Sequence, residues 1–164
     1  MTRAMYPGSF DPVHVGHVDI VEIAAAAFDE VVVVTMYNPA KDGFFPLDQR
    51  RSLLEGAVAH LDNVTIAAAS GLVVDAAAEL GADVIVKGIR SATDLDIEIQ
   101  MAQTNKAVSG VQTLFVPTEP DHSFVSSRFI REIASNGGDV RALVPAAVAE
   151  ALVTKVTKVK KVSW

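Results

Sequence analysis

The 164-residue chain has no cysteine, so neither a disulfide framework nor a thiolate metal site is available to it. It lacks an apolar stretch near Met1 of the kind a secretory leader carries, and no uninterrupted apolar run reaches the roughly 18 residues of a membrane-spanning helix. A cytoplasmic protein without membrane attachment is expected. There is no low-complexity tract and no internal repeat, and half of the residues are hydrophobic, which argues against disorder. Positive charge is in deficit, with 14 Lys and Arg against 20 Asp and Glu, a formal net charge of −6. That balance argues against nucleic-acid binding through a broad basic face, so any anionic ligand must be met by a local cluster of cations. Neither a G-x-G-x-x-G pattern nor a Walker loop is present.

What the chain does contain is concentrated near its start, in Tyr6-Pro7-Gly8-Ser9-Phe10-Asp11-Pro12-Val13-His14-Val15-Gly16-His17. An apolar run ends at Tyr6, Pro7-Gly8 and Asp11-Pro12 break regular structure, and Val18 to Phe28 carries the apolar spacing of a helix. Two imidazoles therefore stand at a helix N-terminus, where free N–H groups and the helix dipole favour phosphate. Gly8 and Gly16 leave room for a bulky phosphate chain against the backbone. Two histidines this close would elsewhere be surface residues or a metal pair, but placement behind a strand and a Gly/Pro turn favours the phosphate reading.

Short Val/Ile-rich runs recur at Ala4 to Tyr6, Glu30 to Met36, Val64 to Ala68, Val84 to Val86 and Thr113 to Val116, separated by helical segments. Runs apolar on both faces read as strands buried between two helix layers, and their alternation with helices predicts an α/β, single-domain, doubly wound parallel sheet. Residues 1–154 form the expected domain and 155–164, where lysine alternates with valine, a basic tail without an assigned role. Ligands in such folds sit beyond the carboxyl ends of the strands. The first helix is expected to turn Ile20, Ile23, Ala24, Ala27 and Phe28 inward and Asp19, Glu22 and Asp29 to water. After the second strand comes Lys41, a loop charge or an anion contact. Leu72 and Val73 open a short helix and read as core residues. Lys87-Gly88-Ile89-Arg90 places two cations where a buried strand emerges. They either hold an anion, the reading favoured here, or pair with Asp94, Asp96 or Glu98. Glu98 and Asn105 fall on the otherwise apolar stripe of Leu95, Met101 and Ala102. Ser126 and Ser127 suit an N-cap, and with Arg128 or Arg131 they also make a second phosphate cradle.

Gly8-Ser9-Phe10-Asp11-Pro12, Gly16-His17, Asn38-Pro39-x-Lys41, Lys87-Gly88-x-Arg90, Glu98-x-Gln100-Met101-Ala102 and Ser123-Phe124-Val125-Ser126-Ser127 together resemble the bacterial phosphopantetheine adenylyltransferases, from about residue 2 to 153. The resemblance implies a Rossmann-like nucleotidyltransferase fold and transfer of AMP from ATP to 4′-phosphopantetheine, giving dephospho-coenzyme A and pyrophosphate in coenzyme A synthesis. It implies Mg²⁺ arriving with ATP rather than a protein metal site, inhibition by coenzyme A, and a homohexamer. Carried over by position, His17, Lys41 and Arg90 are the catalytic residues. Ser9, Phe10, His17, Gly88, Ile89, Arg90, Glu98 and the run His122, Ser123, Phe124, Val125, Ser126, Ser127 and Arg128 meet ATP. Ser9, Lys41, Leu72, Val73 and Lys87 meet the acceptor. The chain departs from that pattern at His14, Leu95, Ile97 and Arg128. His14 makes the motif resemble the nicotinate-mononucleotide adenylyltransferases, the alternative reading beside a non-catalytic nucleotide-binding module.

Overall fold

The computed structural model describes the backbone of residues 1–162 and side chains through Thr157. All five expected strands form: β1 (Arg3–Gly8), β2 (Glu30–Tyr37), β3 (Val64–Ser70), β4 (Val84–Ile89) and β5 (Gln112–Pro117). They pair in parallel in the order β3-β2-β1-β4-β5. Between and after them run α1 (Val15–Ala27), α2 (Leu47–Val58), α3 (Val73–Glu79), α4 (Ala92–Ser109), α5 (Ser127–Ser135) and α6 (Ala146–Val162). This is the doubly wound α/β domain that the sequence predicts.

The valine runs explain the two cores. Successive side chains of a strand point to opposite faces, and in β2 Val31 and Val33 join one cluster while Val32 and Val34 join the other. The larger cluster also holds Ile20 and Val21 of α1, Leu54 of α2, Ile130 of α5 and Leu152 of α6. The smaller holds Ala76 and Ala77 of α3 with Met5 and Ile85 of the strands. On that second face α4 buries no residue fully. Ile97 and Met101 of α4, its Val108, and Leu114 of the edge strand β5 are exposed.

Helix α1 turns in part as expected. Ile20, Ala24 and Phe28 pack inward, but Val21 is buried while Ile23 and Ala27 face out. The phase is set by β4: a Cβ on Gly88 would lie 2.9 Å from Ile20 Cγ1, so the missing side chain is the socket for Ile20. Asp19 is also not a solvent residue, because it pairs with His122. The final helix continues past Lys155 to Val162, so helix extends into the expected tail; Ser163 and Trp164 lie outside the described residues. Lys155 Nζ lies 5.2 Å from the Phe44 ring centroid and 5.7 Å from that of Phe45. Among the described residues no helix is long and apolar enough to cross a membrane.

The chain winds outward in both directions from β1 and β4, which are neighbours but not consecutive. Their pairing is confined to Ala4 with Val84 and Met5 with Ile85, although β1 runs on to Gly8 and β4 to Ile89. Beyond Met5 the two strands part, and the crevice this opens at their carboxyl ends is where such sheets bind ligands.

Candidate active site

A cleft of about 280 Å³ fills that crevice. Its walls come from β1 (Tyr6, Pro7, Gly8), the start of α1 (His14, Gly16, His17), the end of β4 (Lys87, Gly88, and Arg90 just beyond it) and α4 (Asp94, Glu98), with Thr118, Ser126 and Ser127 closing it.

Helix α1 begins with His14 as N-cap in an extended conformation. Of its first N–H groups, that of Val15 donates to Leu143 O and that of His17 to His14 O. Gly16, on the cleft wall, offers its N–H at the positive end of the helix. The backbone N–H of His14 in turn donates to Nδ1 of His17 at 3.3 Å. A neutral imidazole that accepts at Nδ1 carries its proton on Nε2. Burial pushes the His17 pKa well below its ordinary value, and the neighbouring His14 and Arg90 push in the same direction. His14, 4% exposed, is lowered to about 3 by burial first, then by Arg90 and His122. Its Nδ1 is buried without a hydrogen-bond partner. Both imidazoles are therefore neutral at pH 7, stacked with ring centroids 3.6 Å apart. His17 presents an N–H donor and no basic lone pair.

The loop before them is tied from three sides. Arg50 of α2 donates to Ser9 O, Arg131 of α5 to Asp11 O, and the Ser127 hydroxyl to Pro12 O. The Asp11 carboxylate accepts from the N–H groups of Phe44 and Phe45 at 2.6 and 2.8 Å. Phe10 holds a left-handed backbone, φ 44°, a conformation that costs a non-glycine residue about 1–3 kcal/mol. Its ring, 1% exposed, occupies the space beside Gly8, where a Cβ would lie 2.9 Å from Phe10 Cζ. Gly8 thus makes room for a side chain of the protein itself.

The two cations at the end of β4, Lys87 within it and Arg90 just beyond it, are both paired. Lys87 Nζ lies 3.2 Å from Glu98 Oε1, and Arg90 Nε lies 2.9 Å from Asp94 Oδ2. Arg90 also donates to Val125 O. The ion-pair alternative is therefore realised, and an arriving anion has to compete with two carboxylates. The hydroxyls at α5 are likewise committed: Ser126 caps the helix by accepting from the Phe129 N–H, and Ser127 bonds Pro12. Arg131 serves the loop rather than the second cradle.

Of the residues expected in the site, the cleft brings together His17, Lys87, Gly88, Arg90, Glu98, Ser126 and Ser127. Ile89 and Val125 take part through their carbonyls, which accept from Thr118 and Arg90. His122 stands beside the cleft, its Nδ1 2.6 Å from Asp19 Oδ2. Val73 lines a narrow apolar side pocket with Pro7, Met101, Ala102 and Asn105; Lys87 and Glu98 border both cavities. Ser9, Lys41, Leu72, Phe124 and Arg128 are exposed and line neither cavity, and Ser123 spends its hydroxyl on Pro120 O. The ring of Phe10 is buried away from the cleft. Sequence reading missed Tyr6, Ile20, Asp94 and Thr118 as wall residues. Tyr6 had a signal, as the last apolar residue before the glycine turn. Thr118 had only its place just after β5 as a signal; the fold brings it beside Gly16.

Donors aimed at one crevice, two neutral imidazoles and exchangeable cations suit a phosphate chain. They lack a nucleophile-and-base pair and are suited to stabilising negative charge. Among the described residues no three His, Cys, Asp or Glu side chains gather where they would hold a metal ion.

The family model described as cytidylyltransferase-like matches residues 5–133. In fold, the chain is similar to a Vibrio parahaemolyticus protein provisionally named nicotinate-nucleotide adenylyltransferase, with a TM-score of 0.67 at 18% identity over 93% of this chain and 99% of that one. It is also similar to a lipopolysaccharide core biosynthesis protein of Thermoplasma volcanium, with a TM-score of 0.52 at 24% identity over 73% of this chain and 97% of that one.

Proposed function

The chain belongs to the cytidylyltransferase-like family of nucleotidyltransferases, and from that premise we propose that it transfers AMP from ATP to 4′-phosphopantetheine. An oxygen of the acceptor phosphate attacks the α-phosphorus in line, the bond from that phosphorus to the bridging oxygen breaks, and pyrophosphate leaves with that oxygen. The observation that carries the reading is His17: its Nδ1 is engaged by the His14 N–H and its pKa is depressed, so it offers a neutral Nε2–H donor in the cleft. An acceptor phosphate is anionic at neutral pH and needs no base, so what remains is alignment and stabilisation of charge on the equatorial oxygens. The Gly16 N–H and Arg90, released from Asp94, supply further donors.

The side pocket beyond Lys87 and Glu98 bears on the acceptor. That pocket, about 20 Å³, has room for little more than one water, so an arm carrying amides would meet only its mouth, beside Lys87, Glu98 and Asn105. The acceptor contacts that the resemblance implies for Ser9, Lys41 and Leu72 gain no support from their positions, which are exposed and line neither cavity. Mg²⁺ enters bound to the ATP phosphates, as part of the substrate, since Asp94 and Glu98 are already tied to cations. Coenzyme A would occupy the same groove as an inhibitor. The exposed apolar residues of α4 and β5 support a homo-oligomer, the hexamer of the resemblance, in the cytoplasm. Light scattering at micromolar protein tests that assembly.

Nicotinate mononucleotide is the competing acceptor, favoured by His14. Pyrophosphate release measured with ATP, Mg²⁺ and each acceptor decides between them. Faster turnover with 4′-phosphopantetheine is expected; faster turnover with nicotinate mononucleotide transfers the assignment to that acceptor, and pyrophosphate release with neither removes both.

A further inference from the structure

We propose that Phe10 is a positioning residue for His17: its buried ring locks the imidazole in the one orientation in which the His14 N–H reaches Nδ1 and Nε2–H is sent into the cleft. The contacts are specific. The Phe10 ring meets His17 edge-on, centroids 4.9 Å apart at 73°, and meets Tyr6 in the same way at 5.4 Å and 78°. His14 stacks on the imidazole at 3.6 Å and 21°, and its N–H holds Nδ1. The imidazole is thus held by a parallel ring, an edge-on ring and one hydrogen bond.

Two features of the chain exist to put the phenyl ring there. Phe10 adopts a left-handed φ of 44° that glycine or asparagine would take more easily. Gly8 has no side chain because the Phe10 ring fills that volume, 2.9 Å from where a Cβ would be. A residue needed only as core filler does not require a strained backbone beside the site, and strain of this kind persists where function uses the geometry. The ring also keeps water from the imidazole, which contributes to the desolvation that depresses its pKa. The other titratable and charged groups facing His17 are His14 at the α1 N-cap, Tyr6 of β1, Lys87 and Arg90 at the end of β4, and Asp94 and Glu98 of α4.

The catalytic consequence rests on the function proposed above; the tautomer does not, so the two are tested separately. The experiment is ¹⁵N-histidine NMR of the full chain across pH 5 to 8, with steady-state kinetics, on wild type, Phe10→Leu and Phe10→Met. In wild type His17 is expected as the Nε2–H tautomer without titration. In the variants it is expected to mix tautomers and to titrate towards 6.5, and kcat is expected to fall about 10- to 100-fold while the KM for ATP moves less than about twofold. The kcat profile should gain an inflection between pH 5 and 7. If the variants keep a single tautomer and a flat profile and lose only thermal stability, Phe10 is core filler and the proposal is overturned. Should neither variant fold, wild type decides: an Nδ1–H tautomer, titration near 6.5 or a Phe10 ring that flips freely overturns the proposal, and a silent Nε2–H imidazole with nuclear Overhauser contacts to a slowly flipping Phe10 ring upholds it. Absence of pyrophosphate release by wild type would remove the proposed function and leave the NMR test standing.

Discussion

Lys87 and Glu98 meet at 3.2 Å on the boundary between the cleft and its apolar side pocket, one from the end of β4 and one from α4. With Arg90 and Asp94 they make the free site neutral: two cations and two carboxylates, each paired. Attraction for phosphate is therefore latent. It appears when a ligand displaces a carboxylate, and both carboxylates belong to the one helix that is not deeply packed.

Removing a competing carboxylate should expose that attraction. Pairs as accessible as Arg90–Asp94 are worth roughly 0.2–1 kcal/mol. Asp94→Asn is expected to tighten binding of inorganic pyrophosphate by about 1.5- to 5-fold in titration calorimetry. Weaker binding would mean that Asp94 holds Arg90 in its working position.

His17→Ala removes a donor aimed at developing charge. Loss of one such donor costs about 10²–10³ in rate, roughly 3–4 kcal/mol. Steady-state kinetics should show that loss in kcat, with the KM for ATP changed much less, because on the proposed reading Gly16 and Arg90 still contact the nucleotide. Unchanged kcat with a raised KM would reduce His17 to a ground-state contact.

The two buried imidazoles predict a pH-dependent stability. Their pKa values are lowered on folding, His14 to about 3 and His17 well below the ordinary value. Below the unfolded value of about 6.5, the unfolded chain binds protons that the folded chain does not, so stability falls as pH drops. Each imidazole contributes a slope of about 1.4 kcal/mol per pH unit between that value and its folded pKa. Urea melts of wild type at pH 7, 5.5 and 4.5 should lose stability more steeply than those of a His14→Leu/His17→Leu variant. Parallel losses would show that the imidazoles are charged or exposed.

Arg131 should act on the loop and not on phosphate. Arg131→Leu leaves the Asp11 carbonyl without its donor, a loss of about 1–3 kcal/mol for a buried acceptor. Thermal melts should register that destabilisation, and the KM for ATP should rise as residues 9–14 loosen. A variant with full stability and poor ATP binding would instead place the guanidinium on the ligand.

The strands were legible because Val31 to Val34 is apolar at every position, a pattern that only a strand covered on both faces needs. The helix after the glycine turn was legible by its spacing, but its start was placed at Val18 and not at Val15. Its first turn is fixed by backbone contacts to His14 and Leu143, which leave no apolar signature. The edge of the buried stripe of α1 was misread for a similar reason: Val21 or Ile23 can accompany Ile20 and Ala24, and the choice lies with Gly88 across the chain, which seats Ile20. Gly8, read as an opening for ligand, was an opening for the Phe10 ring.

By itself the sequence determined the alternating α/β order, the crevice-forming glycine turn with its two histidines, and the cations that emerge beside it, because these are local in the chain or follow from periodicity. Only the tertiary structure decided that Lys87 and Arg90 are paired, that Asp19 meets His122 across 103 residues of chain, that Lys41 stays outside the cleft, and that Phe10 turns inward against His17. Those outcomes depend on which long-range neighbours remove water from a group, and desolvation is a property of the packed fold, set by no single residue's place in the sequence.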